Sequence, residues 1–207
     1  MKKLNKHITK KIRITSGSFC FALITAASVI FAPAFGQSSK PEPIKEKQTS
    51  LGLYVTAKEA YEMWKADTAK IKILDVRTFE EYIFIGHAPM AWNIPLAVQT
   101  HAWESTKKQF AMKPNPDFVN QVKEKFKRSD TILVTCRSGG RSAMAVNALA
   151  AAGFKNIYNI TDGMEGDIIK DPENVFEGQR MMNGWKNSGC PMTYEIDPSL
   201  MKVPQIQ

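Results

Sequence analysis

One cysteine, two glycines and two arginines fall within six positions, Cys136-Arg137-Ser138-Gly139-Gly140-Arg141, and Ser142 follows. A cysteine is nucleophilic as its thiolate, a form favoured by nearby cations and by a helix N-terminus. Arg137 and Arg141 bring fixed charge in a planar group that suits oxyanions through paired hydrogen bonds. Gly139 and Gly140 let the backbone fold so that successive N–H groups converge into an anion-binding concavity. Cys136 is thus the candidate nucleophile. Arg137, Ser138, Gly139, Gly140, Arg141 and Ser142 are the candidate cradle for a small anionic substrate. Two other loop chemistries fail here: a nucleotide P-loop needs Gly-Lys-Ser/Thr after its glycines, and a thioredoxin-type site needs a cysteine where Gly139 stands.

Two elements must hold this loop. Before it, Ile132, Leu133 and Val134 form an apolar run suited to a buried strand. After it, Ala145, Ala148, Leu149 and Ala152 recur at helical spacing, and Gly153 is placed to stop the helix. The cysteine therefore sits at the carboxyl end of a strand, the edge at which buried parallel sheets bind ligands. Upstream, Thr56 and Glu59 form a capping box before a helix, residues 71–76 read as a buried strand, and Thr78 and Glu81 open a second, short helix to about Ile85. Residues 86–89 are a turn, residues 91–94 a short strand, and residues 117–127 a helix with Phe118, Val122 and Phe126 on one face. Residues 156–160 are a last short strand, and residues 184–191 a short helix and turn with Trp185 in the core. Residues 100–115 and 164–183 show little periodicity. Strands alternating with helices predict an α/β domain with a largely parallel sheet.

Charge and cysteines narrow the function classes. The net charge of +8 is concentrated at the start: the first 36 residues hold six of the 28 basic residues and none of the 20 acidic ones, leaving 22 against 20. A nucleic-acid binder would keep its basic excess in the folded part, so none is expected to bind. Residues 1–36 have the pattern of a secretory signal, basic to Arg13, apolar over residues 19–32, then small, with cleavage after Gly36 preferred to Ala34. The alternative is an uncleaved anchor over residues 12–35, which Thr25, Ser28 and Pro33 weaken. The expected location is the periplasm or the exterior, with no stable membrane span after cleavage. Residues 37–50 read as a flexible leader, 51–195 as the domain and 196–207 as a C-terminal tail. Cleavage leaves Cys136 and Cys190. In an oxidising compartment the plain expectation for two cysteines is a disulfide, but a disulfide does not explain the loop around Cys136. No zinc pattern and no cofactor motif is present.

These segments carry a family resemblance. The loop from Cys136 to Ser142 resembles the active-site loop of single-domain rhodanese-type sulfurtransferases. Residues 73–95 (ILDVRTFEEYIFIGHAPMAWNIP), 153–166 (GFKNIYNITDGMEG) and 184–192 (GWKNSGCPM) resemble three further segments of that family in order. The resemblance implies a rhodanese-like three-layer α/β/α fold with a central, largely parallel sheet. It also implies transfer of a sulfane sulfur from thiosulfate or a related donor, through a Cys136 persulfide, to cyanide or a thiol, with a protein sulfur acceptor as a further partner. Within this superfamily, six residues from cysteine to arginine mark sulfurtransferases, and one more gives the wider cradle of related phosphatases and arsenate reductases. The span from Cys136 to Arg141 is six. Asp75 and Arg77 are expected to support the site as an ion pair or hydrogen-bond network, and His87 to organise its turn. Cys190 stands where an apolar residue is usual and is the candidate accessory or redox thiol. A non-catalytic persulfide carrier for a partner protein is the competing function; a phosphatase or arsenate reductase is the third.

Overall fold

The computed structural model describes residues 42–202; the expected export signal lies outside them. In chain order the first half contains β1 (Tyr54–Val55), α1 (Ala57–Ala66), β2 (Ile71–Asp75), α2 (Phe79–Ile85), β3 (Ala91–Asn93), β4 (Ala97–Glu104) and β5 (Gln109–Pro114). The second half contains α3 (Phe118–Lys125), β6 (Thr131–Thr135), α4 (Gly140–Ala151), β7 (Ile157–Ile160), β8 (Asp167–Ile168), β9 (Arg180–Met182) and α5 (Gly184–Asn187). Both expected capping boxes form. Glu59 N–H donates to Thr56 Oγ1 while the Glu59 carboxylate accepts from Thr56 N–H, and Glu81 and Thr78 repeat the exchange.

Five strands make one sheet in the order β1-β7-β6-β2-β3, with every pairing parallel. Side chains alternate across it. Leu74, Ile132, Val134 and Ile157 face α3 and α4, where they meet Phe118, Val122, Ala145, Val146 and Leu149. Ile73, Leu133 and Ile160 face the other way, onto Ala57 and Ala60 of α1 and Trp185 of α5. Helices on both faces of a parallel sheet give the three-layer α/β/α architecture. The register pairs Asp75 with Thr135 at the carboxyl ends of β2 and β6. The loops that leave those strands, one holding Arg77 and the other Cys136, therefore emerge side by side.

Four stretches carry more structure than periodicity indicated. Residues 97–114 form an antiparallel hairpin, β4–β5, with an irregularity between Gln99 and Trp103. Residues 164–183 include the small antiparallel pair β8–β9. Within the stretch read as a flexible leader, Lys45–Lys47 form a 3-10 turn, and the Lys47 carbonyl accepts from Asn159 Nδ2 at 2.9 Å. Within the tail, Pro198–Leu200 form another, and Lys202 N–H donates to the Asn93 carbonyl at 2.9 Å beside the edge strand β3.

Candidate active site

Cys136 directly follows β6, and its side chain is 1% exposed. The chain turns over it through Gly139, whose φ of 98° lies in the left-handed region. A side chain at 139 would collide with the Thr161 carbonyl, so this turn requires glycine. From below, Gly163 brings the loop after β7 so close that a Cβ there would stand 2.7 Å from the Arg137 carbonyl. Met164 and Glu165 N–H groups donate to the Cys136 and Arg137 carbonyls at 2.8 and 2.9 Å. The loop is therefore held by backbone contacts on two sides. Gly139 N–H points at the sulfur, 3.2 Å from Cys136 Sγ. The first N–H groups of α4, those of Gly140, Arg141 and Ser142, have no acceptor within the helix and add its positive end.

Ser142 and Asn159, both fully buried, line the sulfur's inner side. Ser142 Oγ lies 3.4 Å from Cys136 Sγ and 2.6 Å from Asn159 Oδ1. Asn159 Nδ2 donates to the Gly139 and Lys47 carbonyls, which turns its oxygen toward Ser142. One hydroxyl proton thus serves two acceptors, the thiol sulfur and the amide oxygen.

The two arginines differ. Arg137 is exposed, and its side chain makes no hydrogen bond or ion pair among the described residues. Arg141 is bound to Glu81 of α2 by two parallel hydrogen bonds of 2.6 Å, each side chain 21% exposed. Burial alone would lift the Glu81 carboxyl. The hydrogen bonds and charge of Arg141 outweigh it and hold the carboxyl below the usual carboxylate range. Sequence reasoning identified Arg141 but saw Glu81 only as a helix cap.

Asp75 and Arg77 form a fully buried ion pair. Arg77 Nη2 donates to Asp75 Oδ2 at 2.7 Å and to the Gly86 carbonyl at 2.8 Å. Asn93 Nδ2 donates to the Asp75 and Arg77 carbonyls, so the pair knits β2, the turn before β3, and β3 itself. Within that turn His87 stacks on Tyr82, and its Nδ1 lies 3.0 Å from the Tyr82 carbonyl. Both cysteines among the described residues are free, so the disulfide alternative does not form. Cys136 belongs to the core on the α3–α4 face and Cys190 to the core on the α1–α5 face. The sheet lies between the two thiols, and the structure does not bring Cys190 to the loop. Burial pushes the Cys190 thiol up.

A cavity of about 390 Å³ opens over the arginines, walled by Thr78 and Glu81 on one side and by the β4–β5 hairpin on the other. No group of His, Cys, Asp and Glu among the described residues is arranged to hold a metal ion. No helix among them is long and apolar enough to cross a membrane.

The family model for the rhodanese-like domain matches residues 56–168, from the first capping box through the Cys136 loop to β8. This chain belongs to the rhodanese-like domain family. It is 41% identical over 92 residues to thiosulfate sulfurtransferase 16, chloroplastic, of Arabidopsis thaliana, a match covering 44% of this chain and 69% of that one. It is 38% identical over 95 residues to the senescence-associated protein DIN1 of Raphanus sativus, covering 46% of this chain and 47% of the relative, about half its length. Among solved structures, that of Rv0390 from M. tuberculosis superposes with a TM-score of 0.54 at 25% identity, over 68% of this chain and 96% of that one. Within the rhodanese-like domain of this chain, sequence reasoning missed Glu81, Asn159 and Lys47. Only Asn159 left a local trace, as a polar residue inside an otherwise apolar strand.

Proposed function

We propose that this rhodanese-like domain is a sulfurtransferase that moves a sulfane sulfur from thiosulfate, or a related anionic donor, through a persulfide on Cys136. The observation that carries the reading is the Gly139 N–H aimed at Cys136 Sγ from 3.2 Å, at the N-terminal end of α4. Such a setting favours a sulfur anion, whether thiolate or persulfide. In the first half-reaction the Cys136 thiolate attacks the outer sulfur of thiosulfate. A new S–S bond forms, the donor's S–S bond breaks, and its electron pair leaves with sulfite. In the second, cyanide or a thiolate attacks the outer persulfide sulfur, and the electron pair returns to Cys136. Neither step requires a general base when the thiolate is preformed. Relatives named thiosulfate sulfurtransferase support this donor class. The tight six-residue span from Cys136 to Arg141 favours a sulfur anion over a tetrahedral phosphate.

The test couples turnover to mass. The protein should form thiocyanate from thiosulfate and cyanide, and thiosulfate alone should add about 32 Da, one sulfur atom, that Cys136→Ser abolishes. An adduct without turnover on any acceptor would mark a persulfide carrier for a partner protein instead. Hydrolysis of phosphate esters with no adduct would sink both. Export of the protein rests on the basic-then-apolar pattern of residues 1–36. N-terminal sequencing of the protein from its host should begin after Gly36; an intact Met1 end on membrane-bound protein would mark the uncleaved anchor over residues 12–35 instead, and an intact end on protein in the cytosolic fraction would overturn export.

A further inference from the structure

The β4–β5 hairpin carries an apolar face that the protein leaves uncovered. Trp103 pairs across the ribbon with Phe110, and Gln99 with Met112. Phe110 and Met112 are two apart on one strand, so all four side chains share one face. Trp103 and Phe110 meet edge to face at 5.4 Å between ring centres, yet remain 56% and 44% exposed, and Met112 is 37% exposed. Their face is turned toward Arg137 and Arg141 across the 390 Å³ cavity, with Lys108 at its rim. Cyanide and thiosulfate leave this space largely empty, since one water volume is only about 30 Å³. A cavity of this size, with an aromatic wall opposite unpaired cationic charge, matches an organic anion.

We propose that this cavity is a binding site for a small organic anion with a flat or apolar body, its charge on Arg137 and its carbon skeleton on Trp103, Phe110 and Met112. Such an anion bearing a thiol is the sulfur acceptor: its thiolate attacks the outer sulfur of the Cys136 persulfide, takes that sulfur as its own persulfide, and returns the electron pair to Cys136. The acceptor role rests on the sulfur-transfer reading, whereas the binding site does not.

Two measurements separate them. Calorimetry of the full chain with 4-methylbenzoate, which has no sulfur, tests the site alone. Binding is expected, weakened at least fivefold in Trp103→Ala, in Phe110→Ala and in Arg137→Gln, and retained in Val175→Ala, an 87% exposed apolar residue on the β8–β9 hairpin. Sulfur transfer from persulfide-loaded protein should favour 4-(mercaptomethyl)benzoate over 2-mercaptoethanol by about tenfold in kcat/KM, and Trp103→Ala should erase most of that ratio. Absence of 4-methylbenzoate binding, or binding indifferent to Trp103 and Phe110, overturns the proposal and leaves the ribbon as a surface for a larger partner. Failure of the protein to form any persulfide overturns the catalytic reading while the calorimetry still stands.

Discussion

Arg141 and Glu81 face each other through two hydrogen bonds of 2.6 Å, one from a helix that begins at the cysteine loop and one from a helix on the neighbouring strand's exit. The pair fixes the guanidinium beside the loop and also cancels its charge. Glu81→Gln should therefore raise the loop's net positive charge and lower the KM for thiosulfate about three- to tenfold, with a steeper dependence on salt. An unchanged KM and salt slope would show that Arg141 does not face the donor.

The same pair has a pH signature. Because the folded-state carboxyl of Glu81 is held below its ordinary 4.5, its stabilisation is fully present above that pH and is lost as pH falls through the lower folded value. The stability difference between wild type and Glu81→Gln, about 1–2 kcal/mol at neutral pH, should shrink toward zero between about pH 5 and pH 2 in urea titrations. Asp162, whose carboxyl burial raises, runs the opposite way but is common to both proteins and drops out of the difference. A gap that persists at the acid end would refute the pairing.

The hydroxyl proton of Ser142 is contested between Asn159 Oδ1 and Cys136 Sγ. Removing the competitor with Asn159→Leu should hand it to the sulfur and speed Cys136 alkylation by iodoacetamide about two- to threefold at pH 7. Ser142→Ala should slow it by a similar factor. The opposite signs distinguish a proton-sharing role from mere packing, since general loosening would shift both variants in one direction.

Cys190 sits across the sheet from Cys136, so Cys190→Ala should keep sulfur transfer within about twofold of wild type, at a packing cost of about 1 kcal/mol. Mild oxidation of the native protein should yield no internal disulfide, as judged by thiol titration and mass. A Cys136–Cys190 bond formed without denaturant would contradict the fold.

Arg77→Met leaves Asp75 buried and unpaired, with a cost of about 3–5 kcal/mol expected from chemical denaturation. The double variant Asp75→Leu with Arg77→Met should recover much of that loss, because it removes the stranded charge. A single-variant cost below about 1 kcal/mol would show that the pair does not hold the turn.

The capping boxes at Thr56 and Thr78, the apolar run of β6 and the Cys136–Arg141 spacing are local patterns, and each was legible from the chain alone. The partners that tune the site are not local. Glu81 meets Arg141 across 60 residues, and Lys47 meets Asn159 across 112. Glu81 was also masked by its second duty as a helix cap, which fully explains a glutamate at that position. The β4–β5 hairpin escaped because both of its faces are largely exposed, so it lacks the alternation that burial of one face imposes. Pro114 and Pro116 then made the stretch look broken, although Pro114 ends the strand and costs the ladder nothing in its interior.

Cys136 lies almost wholly beneath its own loop, and that depth acts as a length gauge. A bare thiol there is reachable only by narrow reagents, which spares it from bulky oxidants and from exchange with other proteins' disulfides. In the proposed cycle, loading adds one S–S bond and moves the reacting atom outward by about 2 Å. The empty and loaded forms then present different depths to the solvent, so donors and acceptors can be sorted by how far each can reach.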